Sequence, residues 1–295
     1  MKKISLLLLI AACIWSCSSV PITGRKQLML VSETDVLASS FDSYSAYMKA
    51  AKKSTDKNAA TLVTKVGQRI ADAVEYYYKS NGMEEMIKSY AWEFNLVEDE
   101  NVNAFCMPGG KIVVYTGILP VTQDETGLAV VLGHEVAHAV AKHANERMSQ
   151  QMVIAYGAEA VTSLLGNTSD KVKSIGGTVL GLGAQFGVML PFSRKHELEA
   201  DHLGLIFMAI AGYNPEAAVP FWQRMSQPSG SAVENTVLEF FSTHPSGETR
   251  IADIQKELPE VMEIYNALWE NNKSTNTNNT NTKPANIKTD EKWHF

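Results

Sequence analysis

From Glu33 onward, apolar residues recur at three- and four-residue spacing over two stretches, Glu33 to Lys53 and Asn58 to Ser80. That period gathers them on one face of a helix. Around Ala91 to Val97 the pattern turns strand-like, and Ala104 to Tyr115 follows with Pro108-Gly109-Gly110 at its centre. A turn there would be followed by a strand over Lys111 to Tyr115, which is rich in β-branched residues. Asp124 to Gln150 predicts one long helix, its acidic start matched to the positive end of the helix dipole. Further helices are expected over Lys195 to Ala211, Pro215 to Gln227 and Gly247 to Asn272, the last broken at Pro259. There is no internal repeat. The sum is a mainly α-helical α+β domain with a small sheet.

The two ends read differently. Lys2 and Lys3 precede a short apolar run from Ile4 to Trp15, too short to span a bilayer comfortably and suited to a signal peptide. Ile14-Trp15-Ser16-Cys17 resembles a bacterial lipobox, which implies cleavage before Cys17 and a lipid on its sulfur. The expected division is a signal peptide over 1–16, a lipidated tether over 17–32, one domain over 33–270 and a disordered Asn/Thr/Lys-rich tail over 271–295. Export leaves Cys106 as the one thiol of the mature chain besides Cys17, so no internal disulfide is expected. The uncharged stretch Ser174 to Ser193, with five glycines, reads as a closely packed buried segment, with membrane insertion the weaker alternative. A net charge of −6 and a pI near 5.7 exclude a nucleic-acid partner in this reading, since phosphates need a basic face. Ser18 after Cys17 favours the outer over the inner membrane.

The chemistry centres on His134-Glu135-Val136-Ala137-His138. On a helix, residues four apart differ by about 40° in azimuth, so both imidazoles leave one face a turn apart. Two nitrogens so placed can share one zinc ion at about 2 Å each. Glu135 lies about 100° round from His134. It can flank the metal without binding it, as a general base must. A catalytic zinc needs a third protein ligand and an open fourth position. Glu197 and Asp201, again four apart, put two carboxylates on one helix face. Glu197 is the candidate ligand, and Asp201 the acceptor that orients a ligand histidine, His134 by preference. Glu199 projects to the other side. His143, His196, His202 and His294 are not favoured as ligands.

These residues resemble the His-Glu-x-x-His zinc metallopeptidases that include the CAAX prenyl protease and the heat-shock protease HtpX, in their periplasmic lipoprotein branch. The likeness also rests on Pro21 to Arg25, Asn103 to Gly110, Phe192 to Asp201, Ala211 to Pro215 and Ser242 to Pro245. The resemblance implies a zincin-like fold, one zinc ion held by His134, His138 and Glu197, Glu135 as base, and Asp201 behind the ligands. It implies a strand from Asn103 to Gly110 beside the cleft, against which a substrate backbone could pair. It brings His244 near the metal as transition-state donor or switchable fourth ligand, and Arg250 to the developing charge. The expected activity is membrane-anchored endoproteolysis of protein or peptide substrates, such as misfolded envelope proteins. The alternative is an envelope assembly or chaperone-like factor with a largely latent protease fold.

Overall fold

Helix-forming segments begin where side chains can satisfy the first free N–H groups. Asp56 accepts hydrogen bonds from Asn58 N and Ala59 N (2.9 and 3.0 Å) at the start of one helix, and Ser193 accepts from His196 N (3.2 Å) at another. The computed structural model describes residues 17–152, 192–226, 237, 240–244 and 249–270. They divide between two units, one of residues 1–47 and 141–190 together with Phe295, the other of residues 48–140 and 191–294.

In the first unit, β1 (Cys17–Ser19) pairs antiparallel with β2 (Lys26–Leu28), Cys17 opposite Leu28. Val20, Ile22 and Val31 are buried. Arg25 donates to both oxygens of Glu146 (2.7 and 3.1 Å), Leu30 N donates to Ser149 Oγ (2.9 Å), and Asn145 donates to Val31 O (3.1 Å). The segment expected as a tether is therefore built into a folded unit, because its apolar residues and Arg25 all find partners there. Helix α1 (Glu33–Ala50) follows it, as the periodicity predicts.

The second unit holds α2 (Lys57–Ser80), β3 (Glu93–Val97), β4 (Ala104–Met107) and β5 (Lys111–Tyr115). The short α3 (Leu119–Thr122) precedes α4 (Glu125–Val140). After these come α5 (Arg194–Ala211), α6 (Ala218–Ser226) and α7 (Arg250–Tyr265). The sheet order is β3-β5-β4, with β3 parallel and β4 antiparallel to β5. The turn at Pro108-Gly109-Gly110 needs positive φ at both glycines (88° and 84°), which glycine adopts without steric cost. Among the described residues β4 is the outer strand of this sheet, and it packs on α4.

Helix α4 is buried at every position from Gly127 to Val140, because α2, α5 and β4 surround it. Its crossing with α5 is a backbone contact. A Cβ on Gly204 would lie 3.0 Å from Gly133 C and His134 N, and one on Gly133 would lie 2.9 Å from Gly204 O. Nothing larger than glycine fits without the helices separating.

Two predicted helices differ in detail. The long helix expected to Gln150 stops at Val140, Lys142 takes a left-handed φ of 58°, and residues 143–152 are helical again. The break at Pro259 does not occur: α7 runs through it, its buried Ile254, Val261 and Ile264 packed into the unit, so tertiary burial outweighs the one lost hydrogen bond. Pro259 instead sits inside a helix that ends in a π-turn, Asn266–Glu270. No described helix is long and apolar enough to cross a membrane. The uncharged stretch from Ser174, up to residue 191, and the tail from Asn271 lie outside the described residues.

Candidate metal centre

The Gly133–Gly204 contact sets one helix against the other immediately beside His134. One turn along α4, His138 repeats its direction, and the first turn of α5 supplies Glu197. A carboxylate in that first turn is favoured by the helix dipole. His134, Glu135, His138 and Glu197 are each no more than 3% exposed.

The donor atoms converge. His134 Nε2 lies 3.1 Å from His138 Nε2, 3.3 Å from His244 Nδ1 and 3.4 Å from Glu197 Oε2. Glu197 Oε1 lies 3.5 Å from His138 Nε2 and 3.3 Å from His244 Nδ1. Four donors bound tetrahedrally at about 2.0–2.1 Å from one ion stand roughly 3.3–3.4 Å apart. Five separations in the cluster, from 3.1 to 3.5 Å, lie close to that edge length. All four ligand atoms lie within 4.8 Å of one another.

Its electrostatics point the same way. Both oxygens of Glu197 are buried without a well-formed hydrogen bond, an arrangement that costs free energy unless a cation meets them. Burial alone would raise the Glu197 carboxyl, but the imidazoles of His244 and His134 outweigh it and hold the group well below the usual carboxylate range. Burial and the Arg250 charge work to lower His134, yet the Asp201 and Glu197 carboxylates raise it to about 9. The surroundings thus favour positive charge where the four donors meet. Burial pushes the Glu135 carboxyl above its usual range, against the neighbouring imidazoles of His244 and His134. Two carboxyl groups in one site are driven apart, one toward a permanent anion and the other toward a proton carrier.

Behind the donors Asp201 has both carboxylate oxygens engaged. Asp201 Oδ1 accepts from His134 Nδ1 (2.9 Å), which turns Nε2 toward the cluster. Arg250 grips Asp201 with both ends of its fork, Nε to Oδ2 and Nη2 to Oδ1, each at 2.6 Å.

Of the residues expected from the sequence, the structure brings together His134, His138, Glu197, Glu135, Asp201, His244 and Arg250. His244 Nδ1 stands with the other three donors in the cluster, while its Nε2 lies 3.5 Å from Glu135 Oε1. Arg250 grips the Asp201 carboxylate, a bidentate partner, while its Nη1 stands 3.6 Å from Glu197 Oε2. Glu199 is buried but outside the cluster, and His202 pairs with Glu257 (3.3 Å). His143 is fully buried in the first unit. Cys106 on β4 has its thiol pushed well up by burial and the Glu135 charge, so it stays protonated and is no nucleophile.

Sequence reasoning gave no role to the aromatic rings of the site. Phe240 stacks on His244 (4.7 Å, 20°), Phe192 lies 4.0 Å from His138 and 5.3 Å from His244, and Trp222 stands edge-on to His134. Nothing in the pattern distinguishes these rings from ordinary core residues.

Comparison with known proteins agrees with this geometry. Residues 44–258 match the model of peptidase family M48. The chain is 38% identical over 187 residues to "Mitochondrial metalloendopeptidase OMA1" of Schizosaccharomyces pombe, an alignment covering 60% of this chain and 52% of that protein. It is 31% identical over 258 residues to the protein of the same name from Saccharomyces cerevisiae, covering 83% of this chain and 70% of the relative. A bacterial relative, "Beta-barrel assembly-enhancing protease" of Yersinia pestis, is 29% identical over 173 residues, 58% of this chain and 35% of its own length. The chain spans about half the length of the fission-yeast relative. With the motif helix, the donor cluster and the match over most of its length in agreement, the chain belongs to peptidase family M48, the metallopeptidases.

Proposed function

We propose that this protein is a zinc endopeptidase of the cell envelope, held to the membrane by a lipid on Cys17 and acting on protein substrates. The donor cluster with tetrahedral edge lengths, set beside a buried carboxyl of raised pKa, supports this above all else. His134, His138 and Glu197 would hold the ion. Zinc supplies a Lewis acid that polarises a peptide carbonyl and acidifies water. Glu135 takes the proton of the attacking water at its carboxylate and hands it to the departing amine nitrogen. Asp201 keeps the His134 Nδ1 proton in place, so that Nε2 remains a donor to the metal. The outer strand β4, beside the motif helix, is where an extended substrate would pair its backbone.

The place of His244 supports a second feature of this reading. With its Nδ1 at the fourth corner, the site has a closed set of protein donors, the arrangement of a resting enzyme. Its withdrawal would open that corner to water, which fits a protease that is largely latent between encounters in envelope quality control or assembly.

The test is metal analysis of the full-length protein in detergent, with mass spectrometry of products from an unfolded protein substrate, with and without chelator. One zinc per chain and chelator-sensitive cleavage are expected. A protein that takes up no zinc overturns the reading. Glu197→Ala should lose the metal where Glu199→Ala keeps it. His244→Ala should raise basal cleavage if the residue caps the site; a loss of cleavage would make it a transition-state donor instead. Cys17→Ser should move the protein from the membrane to the soluble fraction.

A further inference from the structure

Trp222, in α6, is 2% exposed and lies against the rear of the site. Its ring lies beneath Arg250, the guanidinium carbon 3.4 Å from the ring centroid. The same ring stands at 70° to His134, centroids 5.6 Å apart.

The neighbourhood needs such a surface. Arg250 is 4% exposed, and its Nη1 has no hydrogen-bond partner among the described residues, standing 3.6 Å from Glu197 Oε2. Its Nη2 serves Asp201 Oδ1 at 2.6 Å, the oxygen that also accepts from His134 Nδ1 at 2.9 Å, and itself comes within 3.1 Å of that Nδ1. One carboxylate oxygen is thus shared by two donors in close contact. A bidentate pair fixes the guanidinium edge but does not stop the group tilting about that edge. A tilt would drive Nη2 into the His134 ring or take it off Oδ1. An aromatic face attracts the cation and blocks the tilt on one side.

We infer that Trp222 is a positioning residue: its indole holds Arg250 flat against Asp201, so that Asp201 stays on His134 Nδ1 and His134 Nε2 stays aimed at the metal. This rests on the proposed role of His134 as a zinc ligand.

The experiment measures zinc affinity by chelator competition on the full-length protein in detergent, beside a thermal melt, for the wild type, Trp222→Phe, Trp222→Leu, Arg250→Met and the double variant Trp222→Leu/Arg250→Met. Loss of an outer partner of a ligand histidine typically weakens metal binding about 10- to 100-fold. Trp222→Leu is expected in that range and Trp222→Phe, which keeps an aromatic face, closer to wild type. The double variant should bind zinc no worse than Arg250→Met alone, because Trp222 acts through Arg250. Should Trp222→Leu fail to fold, Trp222→Phe carries the test: zinc affinity reduced about two- to fivefold at a wild-type melting temperature supports positioning. Variants that melt early yet bind zinc within twofold of wild type, or effects that simply add in the double variant, overturn the inference. A wild type that binds no zinc overturns the function proposed above instead.

Discussion

The two sides of the His134 ring are built on opposite rules. On the Nε2 side stand His138, His244 and Glu197, with Glu135 just beyond, and both Glu197 oxygens and Glu135 Oε1 lack a hydrogen-bond partner among the described residues. On the Nδ1 side, Asp201 has both oxygens engaged, Arg250 lies across it, and Trp222 closes the stack. Both sides are equally buried, so solvent does not explain the difference. Buried acceptors are tolerated without partners where a ligand is to provide them, and are engaged by strong donors, as Asp201 is, where they must hold a shape. The front is arranged for chemistry and the rear for alignment.

The sharpest way to separate the two is Glu135→Gln. With Glu135 as the proposed base and no member of the donor cluster, cleavage should fall about 10²- to 10⁴-fold while zinc content by metal analysis stays at the wild-type level. Activity retained in that variant would remove the base from the front face. Next is the rear, through Asp201→Asn, which leaves every donor atom of the front in place. Zinc affinity by chelator competition should drop about 10- to 100-fold; an unchanged affinity would mean that the rear contributes packing alone. A smaller effect is expected from Gly204→Ala, whose methyl meets the backbone of Gly133 and His134 at 3.0 Å. Overpacking of this kind costs roughly 1–3 kcal/mol, to be read from denaturant unfolding, and the displaced helix should weaken zinc binding as well.

The smallest effect calibrates the others against the surface. Burial raises the Glu125 pKa, but hydrogen bonds from Lys65 (2.7 Å) and Tyr213 (2.8 Å) outweigh it and lower the value below the ordinary one. The unfolded chain therefore binds this proton more readily, so the group's contribution is present above the ordinary carboxylate pKa and is lost as pH falls through the folded value. Being partly exposed, it should amount to less than about 1 kcal/mol. Comparing melts of wild type and Glu125→Gln, the wild-type advantage should shrink from pH 7 to pH 3; a gap that widens in acid would contradict the sign.

How much of this could be read from the residues depends on what kind of signal carried it. The paired histidines and the Glu197/Asp201 pair were legible because helical spacing alone converts sequence distance into direction. The β4–β5 hairpin was legible because Pro108-Gly109-Gly110 leaves few other conformations open. The end of α4 was not, since no glycine or proline marks the reversal at Lys142. Pro259 misled for the converse reason: a local penalty was overruled by burial on either side of it. His244, Arg250 and Trp222 reach the site from far along the chain, so spacing left His244 open between transition-state donor and fourth ligand and gave Trp222 no role. Residue type suggests what such side chains can do, and only tertiary packing decides which side of a ring they approach.

The contact of Gly133 with Gly204 bears on which ions the protein can accept. Side chains can rotate to enlarge a cage, but two backbones already touching have no rotamer to change, and with one neighbouring helix bearing two donors and the other a third, the cage has a fixed calibre. A calcium ion, which asks for six to eight oxygens at about 2.3–2.6 Å, meets an aperture cut for something smaller and softer. Discrimination among cations would then be set less by the donors themselves than by two missing side chains.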